Sequence, residues 1–393
     1  MGFYQEDIEE QPLLHSDGFH LLMGKATIYQ GNALDILRAL PTASHHCVVT
    51  SPPYYGLRDY GVERQIGLEG SPEEYVASLV ELFREVRRVL HDSGVVWLNL
   101  GDCYAGQTGY SGAYPSTQLR GELVNMGITR AGKFRFSREM LNDKAHPRRV
   151  IPGKPKDLVG IPWMVAFALR DDGWYLRSEV IWTKANPMPE SANDRPGNAH
   201  EQIFMLSKKP HYFYDKAAVS HEETGNHNLR DVWPLNAEPY PEAHFATFPI
   251  DLPIRCIKAG TSEKGCCERC GAPYTRDMVM LGKKQSGHAL GEGHTRIPDR
   301  PDLDVARVHK NVSKQVGWQP SCSCRDAECV PCRVLDPFAG SGTTGLAASQ
   351  LSRNSTLIDL SPKYVQMAYK RITEKCDKPS AEIMLHRRRR SLP

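Results

Sequence analysis

Three segments of this chain carry residue types that do chemistry. The first is Val334-Leu335-Asp336-Pro337-Phe338-Ala339-Gly340-Ser341-Gly342-Thr343-Thr344-Gly345. It reads as a strand, a tight turn and the start of a helix, and Gly340, Gly342 and Gly345 spell G-x-G-x-x-G. By itself that spacing marks an ordinary strand-to-helix turn. Asp359 strengthens it, because it ends the next strand about 20 residues on, where an acid binds ribose hydroxyls in nucleotide-binding β-α-β units. No lysine follows the glycines, which excludes a P-loop. A dinucleotide would press its pyrophosphate against these glycines, and the Asp336 carboxylate just before them would repel it. A ligand with a ribose, a positive charge and no phosphate fits better, and S-adenosylmethionine has that chemistry.

The second segment is Ser51-Pro52-Pro53-Tyr54, directly after the β-branched run His46–Thr50. Two prolines cannot continue a central strand, so these four residues form a loop at a strand's carboxyl end. The prolines fix the backbone and remove two N–H donors, which leaves carbonyls facing outward. A serine oxygen and a rigid carbonyl can accept the two hydrogens of an exocyclic amine, and Tyr54 offers a face on which a base can stack. In open α/β sheets, ligands bind beyond the carboxyl ends of the strands, so Ser51, Asp336 and Asp359 should converge on one crevice.

The third segment is rich in cysteine. Seven of the 11 cysteines lie between Cys266 and Cys332. Clustered pairs in a chain of this size point to a metal rather than to disulfides. Cys267 and Cys270 with Cys322 and Cys324 make the preferred zinc set, and Cys329 with Cys332 could replace the second pair. A set of free thiols is the bland alternative. A four-thiolate site has no open position, so its role would be structural.

The elements that must position these residues follow from local pattern. Ala26–Asn32 reads as a strand ending in a Gly-Asn turn, followed by a helix over Ala33–Leu40. Ser71-Pro72-Glu73-Glu74 opens a helix, with Ser71 as cap, Pro72 in the first turn and Glu74 completing a capping box. Val76, Leu79, Val80, Phe83, Val86 and Leu90 recur at helical spacing, and Asp92-Ser93-Gly94 turns the chain into a buried strand over Val95–Leu100. A strand, a helix and a strand at this spacing imply a parallel sheet. Residues 158–170, 175–182 and 202–208 continue as helix, strand and strand, and the glycine segment leads into a strand over 355–360 and a helix opened by Ser361-Pro362.

Taken together, these segments resemble the DNA amino-methyltransferases of the permuted, beta-type order, in which the Ser-Pro-Pro-Tyr segment precedes the cofactor loop. The resemblance rests on VVTSPPYYGLRDYG, LVGIPWMVAFALRDDGWYLRSEVIWTKANPMPES, HEQIFMLSKKPHYFYD, HFATFP and VLDPFAGSGTTGLAA. It implies a Rossmann-like methyltransferase fold with a mostly parallel sheet and a Cys-rich insertion. It also implies transfer of a methyl group from S-adenosylmethionine to an amine of a flipped base in double-stranded DNA. Serine at the first motif position resembles the cytosine-N4 enzymes more than the adenine-N6 enzymes. Carried over position by position, Ser51, Pro52, Pro53 and Tyr54 are the catalytic residues. Asp336, Phe338, Gly340, Gly342 and Thr343 line the cofactor, Asp359 binds its ribose, and Thr247 and Pro249 pack near its methionine part. The family's Gly-Asp turn is Gly-Asn here, so Asn32 would meet the adenine through an amide. His200 and Glu201 would support the crevice.

The resemblance implies a discontinuous catalytic domain over 22–103, 157–255 and 333–376. The basic segment 104–156 is a candidate DNA contact, with Arg130, Lys133, Arg135, Arg138, Arg148 and Arg149 interleaved by Phe134 and Phe136. Residues 256–332 form the insert, a candidate zinc and target-recognition module, and 377–393 a basic tail. Trp97, Trp163 and Trp182 read as core, and His45 and His46 have no assigned role. At 40% hydrophobic and a net charge of +3 the chain is neither disordered nor strongly basic. No apolar run approaches the ~18 residues of a membrane span, so a cytoplasmic protein is expected. A restriction endonuclease is a possible partner. A non-catalytic zinc-containing DNA-binding protein would leave the glycine segment unexplained, and an oxidoreductase would leave Asp336 and Ser51 unexplained.

Overall fold

The computed structural model describes residues 25–57, 62–107, 150–184, 186–187, 190, 192–220, 228–236, 248–285, 309–375 and 381–385. The first half of the chain holds β1 (Ala26–Gln30), α1 (Ala33–Ala39), β2 (His45–Thr50), α2 (Pro72–Val89), β3 (Leu90–Leu100), β4 (Gly106–Gln107), β5 (Val150–Ile151) and α3 (Ile161–Asp171). It continues with β6 (Tyr175–Thr183), β7 (His200–Ser207), α4 (Lys216–Val219), β8 (Val232–Pro234), α5 (Asp251–Gly260) and β9 (Cys266–Cys267). The last third holds β10 (Tyr274–Gln285), β11 (His309–Pro320), β12 (Cys329–Val330), β13 (Arg333–Asp336), α6 (Thr343–Gln350), β14 (Asn354–Asp359), α7 (Pro362–Lys375) and β15 (Ala381–Leu385).

Nine strands form one sheet in the order β15-β1-β14-β13-β2-β3-β7-β6-β8. It is parallel from β15 to β3, and β7 runs antiparallel to both β3 and β6. Alternation along the strands explains the three layers. Val48, Val96, Leu98 and Leu100 face α1, α2 and α3, whereas Cys47, Val49, Val95 and Trp97 face α5 and α6. Because both faces are covered, the central strands read as continuous apolar runs instead of alternating ones. Helix α7 covers the β1–β14 end through Val365, Ala368 and Ile372.

Local signals behave as expected at α2. Ser71 caps it by accepting from Glu74 N, and Pro72 sits in the first turn. Glu74 reaches back to Gly70 N at 2.8 Å, one residue earlier than a standard capping box.

Four differences from the sequence reading have simple causes. Strand β3 begins at Leu90, and Asp92-Ser93-Gly94 is a bulge in it, because the register jumps from His45↔Leu90 to Cys47↔Val95. Helix α5 runs through the expected 255/256 boundary and buries Leu252, Cys256 and Ile257 under the sheet. Part of the expected basic tail is an edge strand, because 381–385 pairs in parallel with β1. Trp163 is 37% exposed, tilted against Phe167 and edge-on to the buried Phe204, so it caps the core from the surface, whereas Trp97 and Trp182 are buried. The basic residues Arg130, Lys133, Arg135, Arg138, Arg148 and Arg149, with Phe134 and Phe136, lie outside the described residues, as do Arg387–Arg390. Among the described residues no helix is long and apolar enough to cross a membrane.

The join between α6 and α7 tolerates no side chain. Gly342 precedes α6 at φ +76°, and a Cβ there would meet Ala368 Cβ at 2.7 Å and Cα at 3.0 Å. Left-handed backbone and overpacking add, so Gly342→Ala should cost at least about 2 kcal/mol. Gly197→Ala, with nothing within 4 Å of its Cβ, should stay within about 0.5 kcal/mol of the parent. Denaturant titration of the two variants checks both values.

Candidate functional site

The strand ends on the carboxyl side of β2, β3, β13 and β14 open into one cavity of about 1660 Å³. Ser51, Pro52, Pro53 and Tyr54 form one wall, and Phe338, Gly340, Thr343 and Asp359 form the other. A site for one small ligand typically spans about 300–1,000 Å³, so this volume accommodates two ligands side by side.

The glycine loop is built around two carboxylates, one buried and one half-buried. Asp336 ends β13 and is almost fully buried. Its Oδ1 accepts from Thr50 Oγ1 at 2.7 Å and Phe338 N at 3.1 Å, and its Oδ2 accepts from Thr344 Oγ1 at 2.7 Å. Burial pushes its carboxyl up to about 6 despite these donors. Asp336 therefore lies beneath the cavity and fastens the loop, instead of lining it. Asp359 does line it. Asp359 Oδ2 accepts from Gly340 N and Oδ1 from Ser361 N, each at 2.8 Å, and burial raises its carboxyl to about 7.

The two turn glycines do different work. Gly340 has φ +50° with nothing within 4 Å of a would-be Cβ, so its backbone lies open to a ligand. Gly342 serves the packing of α6 on α7 and does not line the cavity. Thr343 lines the cavity, but its hydroxyl accepts from the buried Arg371 Nη1 at 2.8 Å. Asn32 lines it too, and its Oδ1 caps α1 by accepting from Leu34 N and Asp35 N. That cap explains why an amide serves where an acid was expected, because both are good N-caps. Thr247 lies outside the described residues. Pro249 is buried outside the cavity, and its neighbour Phe248 lines it instead.

The opposite wall is fixed by a polar network. Tyr54 Oη donates to Glu201 Oε2 at 2.5 Å and accepts from Asn99 Nδ2 at 2.9 Å. Asn99 Nδ2 also reaches Glu201 Oε2 at 2.9 Å and Ser51 Oγ at 3.4 Å. Lys184 at the end of β6 ion-pairs with Glu201 Oε1. The Pro53 carbonyl is held by the Tyr75 hydroxyl at 2.9 Å. Asn99, Lys184 and Glu201 come from β3, β6 and β7, so the wall is rigid because the sheet is. Sequence reading assigned Glu201 a supporting role and missed Asn99 and Lys184. One signal was available for Asn99, which is the lone polar residue in the buried run Val95–Leu100. For Lys184 and Thr344 nothing in local sequence distinguishes them from surface residues.

At the far end of the sheet, the sulfur atoms of Cys267, Cys270, Cys322 and Cys324 lie within 4.8 Å of one another. Cys329 faces Cys267 across the β9–β12 pair, but its Sγ turns to Lys264 O, and Cys332 Sγ turns to Ser262 O, so neither joins the four.

Fold and cavity define an α/β protein with one large crevice at the carboxyl ends of its parallel strands. A model of the DNA methylase family, covering N6 and N4 enzymes, matches residues 45–267 and 333–370. The chain is 37% identical over 355 residues to the Type II methyltransferase M.Cfr9I of Citrobacter freundii, spanning 90% of this chain and 89% of that protein. It is 38% identical over 355 residues to the Type II methyltransferase M.XycI of Xanthomonas campestris pv. cyanopsidis, with the same coverage of 90% and 89%. In fold it is similar to the PvuII DNA methyltransferase (cytosine-N4-specific), with a TM-score of 0.52 and 16% identity over 88% of this chain and 86% of that one. The chain belongs to the DNA methylase family and is a DNA methyltransferase of the N4/N6 amino group.

Tyr54 rests directly on Gly101, where a Cβ would meet its ring at 2.6 Å. Gly101→Ala should therefore swing the ring off the Glu201–Asn99 network. The expected result is a fall of at least about tenfold in methyl transfer, since small misplacements of a positioning group cost up to about 100-fold. The glycine-loop side should be untouched, so cofactor affinity measured by calorimetry should stay within about twofold.

Proposed function

We propose that this protein transfers a methyl group from S-adenosylmethionine to the exocyclic N4 amine of cytosine in double-stranded DNA, after the base flips out of the helix. The observation that carries the reading is the single cavity joining Ser51–Tyr54 to Gly340 and Asp359. The residues present fit the cofactor. Gly340 leaves a cradle that a Cβ would fill, and Asp359 is a half-buried carboxylate held toward the cavity by two backbone N–H groups. Asp359 would hold the ribose hydroxyls, and Phe338 and Asn32 the adenine. When bound, S-adenosylmethionine supplies a methyl carbon made electrophilic by its sulfonium.

The chain's own residues then orient the nucleophile. Ser51 Oγ keeps acceptor capacity beside its two weak contacts to Tyr54 and Asn99, because a hydroxyl has two lone pairs. It accepts one hydrogen of the target amine, and the Pro52 carbonyl accepts the other. Positive charge that develops on the nitrogen meets dipoles already fixed in place. The Tyr54 ring, tied at its hydroxyl, gives the flipped base a face to pack on. No covalent enzyme–base intermediate is required, and Pro331-Cys332 lies at the opposite end of the sheet. The PvuII enzyme's cytosine-N4 specificity and serine at position 51 both favour cytosine. Adenine-N6 methylation remains the second reading, because the family includes both chemistries. Relatives named as Type II methyltransferases support a cognate restriction endonuclease as partner. The segment 104–156 and the insert after Gly260 are proposed to supply further DNA contacts.

Methylome sequencing of DNA from a methylase-free host expressing the protein should show N4-methylcytosine at one short motif. N6-methyladenine would overturn the base assignment and keep the enzyme class. Ser51→Ala should cut turnover by about 100-fold with cofactor affinity unchanged, and full turnover would remove Ser51 from catalysis.

Asp359 sets a pH dependence. Its carboxyl sits near 7 through burial, and ribose hydroxyls donate to the ionised form. Lowering the pH then forces a proton off the group when ligand binds. The affinity for 5′-methylthioadenosine, which has the ribose but not the titratable α-ammonium of the methionine part, should weaken about tenfold from pH 8 to pH 6. A flat calorimetric profile would remove Asp359 from the ribose site.

A further inference from the structure

The cysteine cluster lies far from the cavity and is not used by the proposed reaction. A tetrahedral zinc–tetrathiolate needs sulfurs about 3.8 Å apart, given Zn–S bonds of about 2.3 Å. The sulfurs of Cys267, Cys270, Cys322 and Cys324 all fall within 4.8 Å of one another, and none is in a disulfide. The first pair forms a knuckle turn. Gly271 N donates to Cys267 O at 2.8 Å and Cys267 N to Ala272 O at 2.9 Å, with Gly271 at φ +74°. Backbone N–H groups of Cys270 and Arg269 point at the Cys267 sulfur.

We propose that Cys267, Cys270, Cys322 and Cys324 bind one structural zinc ion, and that this zinc knuckle is the joint fastening the β10–β11 hairpin to the amino-terminal edge of the catalytic sheet. The hairpin lies between the two ligand pairs, so the metal closes its root. Ser321 Oγ adds a hydrogen bond to Pro273 O at 2.6 Å across the same root. Two imidazoles hold the knuckle from the sheet side. His46 Nε2 contacts Gly271 O at 2.9 Å and His91 Nε2 contacts Cys270 O at 3.1 Å, with the rings stacked at 5.6 Å. His46 Nδ1 accepts from Arg333 N and His91 Nδ1 from Ser93 N, so each Nε2 carries the proton that it donates to the knuckle. On the hairpin's other side, Arg276 pairs with Asp215 at 2.9 Å and Glu263 at 3.0 Å.

A second cluster, His46 with Cys266 and Cys332, is also close enough to share an ion. It is not a metal site, because both His46 ring nitrogens are already engaged, by Arg333 N and Gly271 O. The metal is not catalytic either. Four thiolates leave no open position. Five residues of strand, about 17 Å, separate His46 at the knuckle from Ser51 at the crevice.

The test is metal analysis of the purified full-length protein, made in zinc-supplemented medium and dialysed against a competing chelator. One zinc per chain is expected. Cys322→Ser and Cys324→Ser should each lower its retention at least about tenfold, while Cys329→Ser and Cys332→Ser retain it. Cys324→His keeps a fourth ligand, so it should keep the zinc and shift the visible spectrum of the cobalt-substituted protein. That variant separates lost ligation from lost folding. Hydrogen exchange in 274–320 should speed up in the zinc-poor variants, with S-adenosylmethionine affinity unchanged. Absence of zinc, iron in its place, or equal loss from Cys329→Ser and Cys332→Ser would overturn the proposal.

Discussion

Asp336 accepts one hydrogen bond from Thr50, the residue just before Ser51, and another from Thr344 in the first turn of α6. One carboxylate thus locks the loop that leaves β2 to the loop that leaves β13. Every distance between the two walls of the cavity depends on that lock. A buried carboxylate is costly unless it is well supplied with donors. Three donors meet it here, yet burial still lifts it to about 6. Its folded value lies above the ordinary ~3.9, so its contribution to stability is greatest below about pH 4 and declines as the pH rises through 6. The protein accepts that cost at neutral pH, which implies that the position of the charge matters more than its stability.

The opposite wall follows the same logic. Lys184 and Glu201 form a half-buried ion pair beside Asn99 and Tyr54. Such pairs seldom add net stability and serve better to define one geometry. Here the pair gives Glu201 a fixed orientation, Glu201 fixes Tyr54, and Asn99 ties both to Ser51. Strands β3 and β7 are covered on both faces, so the anchor points of Asn99 and Glu201 move little relative to one another.

Sequence made much of this legible because punctuation in α/β chains is chemical. Ser-Pro-Pro-Tyr had to end a strand, Ser71-Pro72 had to begin a helix, and the glycine segment had to be a turn. The division of labour within a motif was not legible. Gly340 and Gly342 are two residues apart in one turn, but one faces a ligand cavity and the other faces Ala368, and only the path of α7 decides which. Asp336 and Asp359 likewise look equivalent as strand-ending acids, yet one is a brace and the other a lining residue. The Lys184–Glu201–Asn99 network joins three strands, and no spacing along the chain encodes it. Helix α5 was overlooked because the cysteine count drew the boundary of the insertion into it, while its buried Leu252, Cys256 and Ile257 belong to the core.

Strand β2 carries both ends of this organisation. Its last residue, Thr50, holds Asp336 and presents Ser51, and near its start His46 grips the cysteine knuckle. The family match omits 268–332, the segment that holds Cys270, the hairpin and the second ligand pair. A segment rooted at the amino-terminal edge of a sheet leaves the carboxyl-edge crevice open at its root, so an α/β sheet tolerates growth there. Fastening it to β2, buried on both faces, gives it the stiffest available base. With the root of the hairpin held by backbone carbonyls on the His46 and His91 imidazoles and by the proposed metal, its distance from Ser51 is set by the length of one short strand.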